Sequence, residues 1–142
     1  MTTTQTKSAV RRVFDEAFNQ GNLAVIDEVF TPNHFTHTAS PGLPNQNEGL
    51  KQLVTLFRTA FPDLHCTVED EINADGKVAA HWTMSGTHKG PLMGTPPTGK
   101  SFSIQGLLFA RIENGKIAED WTLTDQMGML QQLGLVPPPT GH

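Results

Sequence analysis

Tyrosine is absent from the 142 residues, cysteine occurs once, and neither a run of basic side chains nor a long apolar stretch is present. Each lack removes a class of chemistry. Without tyrosine no phenol can donate to an oxyanion. Cys66 alone forms no intrachain disulfide, and no Cys/His cluster has zinc spacing, so the expectation is a reducing cytoplasm and no metal. Ten Lys and Arg against 14 Asp and Glu give a net charge of -4, which argues against nucleic acid as a partner. No stretch approaches the roughly 18 apolar residues of a bilayer span, and Met1–Thr6 lacks an apolar signal core, so neither membrane nor export is expected. The G-x-S-x-G elbow, the G-x-G-x-x-G and Walker loops and the H-E-x-x-H pair are also missing. Hydrophobic residues at 37% with 17% charged residues describe a chain that builds a core. One domain over 1–142 is expected, with a core from about 8 to 134 and a tail at 135–142.

The hydrophobic period divides the chain in two. Val10, Val13, Phe14, Ala17 and Phe18 predict a helix from about Lys7 to Asn19, stopped by Gly21. A short second helix, capped by Asn22, carries Leu23, Ile26, Val29 and Phe30 and ends at Pro32. Asn33 to Gln46 reads as an irregular loop, and Leu50, Leu53, Val54 and Phe57 predict a third helix over Asn47–Ala60. From Leu64 the period becomes two. Cys66, Val68, Asp70 and Ile72 form one inward set; Val78, Ala80, Trp82, Met84 and Gly86, continued by His88, form another. For both sets to share a side, a three-residue loop Ala74-Asp75-Gly76 is expected. The Gly- and Pro-rich segment Lys89–Lys100 is read as a loop over an opening. Ser101–Ile112 is a strand apolar on both faces at Leu107–Ala110, which calls for a cover of helices or a second subunit. Asn114-Gly115 turns it into a last strand, and a short helix with Met127, Leu130 and Leu133 closes an α+β domain.

The two-residue turn pairs Ile112 with Ile117, Leu108 with Trp121 and Gly106 with Leu123. That register points Ile117, Glu119, Trp121, Leu123 and Asp125 inward. A carboxyl on an apolar surface is pushed toward its neutral form, which suits a general base near neutral pH. Asp125, at the strand end, is preferred over Glu119. A slip of one residue at a bulge would instead turn both acids to solvent, and the pattern leaves both arrangements open. His88 has inward parity and His37 stands in the loop before the third helix, so both are candidate partners of the acid. His34, His65, His81 and His142 suggest only surface or core roles.

Gly86-Thr87-His88, Pro96-Pro97-Thr98-Gly99-Lys100, Gly115-Lys116-Ile117, Glu119, Trp121, Asp125 and Met129-Leu130-Gln131-Gln132-Leu133-Gly134 together resemble the SnoaL-like polyketide cyclase, or ester cyclase, family. The resemblance runs from about Ser8 to Gly134. It implies a nuclear transport factor 2-like, cone-shaped α+β barrel assembled as a homodimer or homotetramer, with a small hydrophobic, polyketide-like substrate. In such cyclases an aspartate four residues after the tryptophan serves as general acid/base in an intramolecular aldol condensation; that position is Asp125. Asp120 stands where relatives often have histidine. The expected mechanism needs no cofactor: Asp125 removes an acidic C–H proton, the enolate attacks a ketone of the same molecule, and His88 or His37 protonates the alkoxide. Trp82, Met84, Leu108, Glu119, Trp121 and Leu123 are the expected substrate-binding residues. The rival readings are a dehydratase or isomerase acting on another small molecule and a non-catalytic ligand-binding module.

Overall fold

Ser8 opens the first helix by accepting the Arg11 backbone N–H on its hydroxyl at 3.2 Å. The computed structural model describes residues 8–39, 42–92 and 94–137. The expected tail from Pro138, His142 and the polar stretch 1–7 lie outside the described residues. Helix α1 spans Ala9–Arg12 in ordinary α form and continues as a π-helical segment over Val13–Phe18. The wider winding brings Val13, Phe14, Ala17 and Phe18 all into the interior. Its end is anchored twice. The Arg58 guanidinium donates to the Phe18 and Asn19 carbonyls, both at 2.9 Å, and the Asn19 amide bonds Cys66 through both backbone groups.

Helix α2 spans Ala24–Val29 and follows Leu23, so the expected side-chain cap at Asn22 is not formed. Phe30–Thr36 is strand β1, although the sequence predicts helix through Phe30 up to Pro32 and loop from Asn33. β1 runs along the sheet edge parallel to strand β5 (Lys116–Thr124), with a register shift between Phe30 and Phe35. An edge strand with an irregularity accommodates Pro32, which would end an interior strand. Helix α3 occupies Asn47–Ala60, as the periodicity predicts.

Strands β2 (His65–Ala74), β3 (Lys77–Thr87), β4 (Ser101–Glu113) and β5 are antiparallel, giving the order β1-β5-β4-β3-β2. Each hairpin turn has two residues with positive φ: Asp75 and Gly76 at 52° and 74°, Asn114 and Gly115 at 51° and 79°. The three-residue loop is therefore corrected. Ile72 does pair with Ala79, and the parity is repaired by a bulge at Glu69, because Val68 pairs with Trp82 while Asp70 pairs with His81. Asp70 and Ile72 consequently face solvent.

The even-numbered side chains of β3 and β4 form the inner face, from Val78, Ala80, Trp82 and Met84 to Phe102, Ile104 and Ala110, and the helices cover it. Leu107, Phe109 and Trp121 are exposed on the other face. Helix α4 (Gln126–Gln132) buries Met129, followed by buried Leu133, while Met127 is exposed. No helix among the described residues is long and apolar enough to cross a membrane.

Candidate active site

The hairpin β4–β5 begins in the expected register, with Ile112 opposite Ile117, and then slips by one. Arg111 pairs with Glu119, so Ala118 is an extra residue. Beyond it Ala110 faces Asp120 and Leu108 faces Thr122. A one-residue slip exchanges the two faces of a strand. Asp120, Thr122 and Thr124 therefore line the interior, and Glu119 and Trp121 stand on the outer face.

The buried acid is Asp120. Its Oδ2 lies 2.6 Å from Nε2 of His34, and its Oδ1 accepts the Thr36 hydroxyl at 2.7 Å and, more weakly, that of Thr122 at 3.4 Å. β1 supplies His34 and Thr36, and the parallel pairing of Thr36 with Asp120 sets them beside the carboxyl. On the far side of the imidazole, Nδ1 lies 3.1 Å from Oδ1 of Asn47, and the ring packs on Phe30 with centroids 4.3 Å apart. His34 and Asp120 are both buried, which such groups tolerate when paired and hydrogen-bonded.

This pair opens into a cavity of about 310 Å³, the size of a small-molecule site. Val13, Phe14 and Phe18 form one wall, Leu50, Leu53 and Phe57 of α3 a second, and Trp82, Met84 and Leu108 of the sheet a third. Gly106 lets the Trp82 indole lie across β4, because a Cβ there would stand 2.1 Å from Cζ2 of that ring. The site is thus an apolar chamber with a few converging polar groups, chiefly the His34–Asp120 pair and the Thr36 and Thr122 hydroxyls.

Several expected positions fall elsewhere. Asp125 is exposed at the start of α4, where its Oδ1 accepts the Gly128 N–H at 2.9 Å and caps the helix. His37 is exposed; its ring stacks on Trp121 at 4.3 Å, and its Nε2 meets Glu119 at 2.8 Å. Glu119 is held below its ordinary carboxyl range, first by His37 and then by Arg111. His88 is fully buried outside the cavity: its Nδ1 accepts the Thr98 N–H at 3.2 Å, and its ring packs near Phe61. Asp125, His88 and His37 are not brought together. Of the expected binding residues, Trp82, Met84 and Leu108 line the cavity and Glu119 and Trp121 do not; Leu123 borders it, but the same slip turns its side chain to the outer face opposite Leu107, where it is 67% exposed. The segment Lys89–Lys100 bonds to the end of α3, through Lys89 and Gly90 N–H to the Ala60 carbonyl, and forms none of the described cavity lining.

Cys66 is buried in the core, and burial pushes its thiol up to about 12. Among the described residues no group of three or more His, Cys, Asp or Glu is placed to hold a metal ion.

A family model of SnoaL-like polyketide cyclases matches residues 8–133. The nogalonic acid methyl ester cyclase of Streptomyces nogalater is 33% identical over 120 residues, covering 83% of this chain and 90% of its own length. The aklanonic acid methyl ester cyclase of Streptomyces peucetius is 33% identical over 132 residues, covering 88% of each. Among solved structures, a candidate polyketide cyclase from Bacillus cereus superposes with a TM-score of 0.80 at 33% identity, over 90% of this chain and 79% of that one. TsrD from Streptomyces laurentii gives 0.80 at 26% identity, over 94% and 100%. With the resemblance, the α+β architecture and these matches in agreement, the chain belongs to the SnoaL-like polyketide cyclase family.

Proposed function

We propose that the protein is a polyketide ester cyclase that closes a ring by intramolecular aldol condensation, with Asp120 as general acid/base and His34 as its partner. The observation that carries this reading is the hydrogen-bonded His34–Asp120 pair, buried in an otherwise apolar cavity. The carboxylate takes a proton from a carbon flanked by carbonyls. The carbanion, delocalised into those carbonyls, forms the new C–C bond at a ketone of the same molecule. The resulting alkoxide recovers a proton from the Asp120 carboxylic acid, so the pair ends as it began. No cofactor is consumed or needed. A positioned base is worth about 10²- to 10⁴-fold, and the three apolar walls hold the chain folded for attack.

The acid role thus moves from Asp125 to Asp120, because Asp125 is engaged in capping outside the cavity. Exposure of Leu107, Phe109 and Trp121 on one face of β4 and β5 supports a homodimer that covers this face.

The test is incubation with nogalonic and aklanonic acid methyl esters, with products followed by mass spectrometry. An isomer of unchanged mass from wild type, and none from Asp120→Asn, is expected. Loss of water would mark a dehydratase, and binding without conversion a ligand-binding module.

A further inference from the structure

Asn47, the first residue of α3, does not line the cavity, yet its side chain determines where the protons of the His34 ring can lie. Its amide nitrogen donates to the Thr31 carbonyl at 3.4 Å. That acceptor leaves the amide oxygen turned toward His34 Nδ1, at 3.1 Å. An amide oxygen only accepts, so Nδ1 carries a proton. At the other nitrogen, Nε2 and Asp120 Oδ2 are 2.6 Å apart, a separation that two facing lone pairs do not tolerate. A second proton therefore lies between them. Oδ1 of Asp120 already accepts the Thr36 hydroxyl at 2.7 Å, and such donors favour the charged carboxylate.

We infer that Asn47 is a positioning residue that holds His34 as an imidazolium paired with the Asp120 carboxylate, so that the imidazolium remains as the counter-charge when the substrate carbanion forms. The inference rests on the proposed reading of this pair as the reacting one. With a single proton on the ring, at Nε2, the buried pair would be a net anion, and once its carboxylate had taken the carbon proton the substrate carbanion would stand beside a neutral pair, with no counter-charge. With both nitrogens protonated, transfer of the carbon proton to Asp120 leaves one cation beside one carbanion. The same Nε2–H, released from the carboxylate, can then donate to the developing oxyanion, the kind of fixed donor that stabilises such charge.

The experiment is nitrogen NMR on protein labelled in its histidine rings, with His34 assigned among the six histidines by its loss in His34→Gln. Wild type should show both His34 nitrogens proton-bearing at neutral pH. Asn47→Leu should turn Nδ1 into a proton-free nitrogen and lower kcat about tenfold with KM held within about twofold, the pattern of a lost charge-assisted bond. Asn47→Asp, which keeps an acceptor at the same place, should restore both protons. A proton-free Nδ1 in wild type, or an unchanged ring in Asn47→Leu, overturns the inference while an inactive Asp120→Asn leaves the site reading standing. Full turnover by Asp120→Asn, with the Nδ1 proton present, overturns the site reading and with it the counter-charge role.

Discussion

Two histidine–carboxylate pairs bridge the same two chain segments on opposite sides of β5. His34 meets Asp120 at 2.6 Å, and His37 meets Glu119 at 2.8 Å. The acids are adjacent in sequence and the contacts are nearly alike. Their surroundings differ: the side chains of the first pair are 2% and 8% exposed, those of the second 36% and 26%. The inner pair sits in an apolar chamber, with two hydroxyls beside the carboxyl. The outer pair shares its acid with Arg111, whose Nε lies 2.7 Å from Glu119, and lies in solvent, where water screens it. What makes one of them a candidate engine is its environment rather than the pairing itself, and the extra residue Ala118 decides which acid receives it.

Substitutions should separate the two pairs in graded fashion. The largest effect is expected at the inner acid: Asp120→Asn should lower turnover by about 10²- to 10⁴-fold in a ring-closure assay, with the fold intact by circular dichroism. Next comes the chamber that distinguishes the inner pair. Gly106→Ala would set a Cβ 2.1 Å from the Trp82 ring, so an overpacking cost of about 1–3 kcal/mol in a denaturant melt should accompany a loss of substrate binding. Asp125→Ala removes the α4 cap and should cost about 1 kcal/mol of stability with the chemical step unaffected. A comparable kinetic loss at Asp125 and Asp120 would erase the distinction between chamber and surface.

The smallest effect belongs to the outer pair. Glu119→Gln should leave turnover at wild-type level and show itself in stability, as a loss at neutral pH that closes toward acid. The Glu119 carboxyl is lowered from its ordinary 4.5 by His37 and Arg111. The folded state therefore binds that proton less readily than the unfolded chain, so the stabilisation is present above about 4.5 and is lost as pH falls through the lower folded value. Asp63, lowered from 3.8 by the Thr87 N–H and then its hydroxyl, acts with the same sign at lower pH. Thermal melts between neutral pH and pH about 3 should show the decline, with a shallower slope for Glu119→Gln.

Much of this arrangement was legible in the residues. Helix α3 follows from Leu50, Leu53, Val54 and Phe57 at helical spacing, and the inner face of β3 from the alternation of Val78 to Gly86. The chamber walls at Trp82, Met84 and Leu108 follow from the same alternation. The family was legible in the Gly-Thr-His and Gln-Leu-Gly segments. The reacting pair was not, for two physical reasons. Both hairpins have two-residue turns and restore inner parity with a bulge, at Glu69 and at Ala118, and alternation alone carries no mark of an inserted residue. β1 is a parallel edge strand containing Pro32, with few apolar side chains, so it lacks the usual strand signature. The available signal was faint: Phe30, His34 and Thr36 share one parity, and a bulge, already weighed for the last strand, turns Asp120 toward them.

The most direct measurement is hydrogen–deuterium exchange, by NMR, at the carbon between the carbonyls of nogalonic acid methyl ester, comparing wild type, Asp120→Asn and Asp125→Asn. Exchange by wild type and Asp125→Asn, with none above background by Asp120→Asn, is the result the account predicts. Exchange that survives in Asp120→Asn and disappears in Asp125→Asn would contradict it.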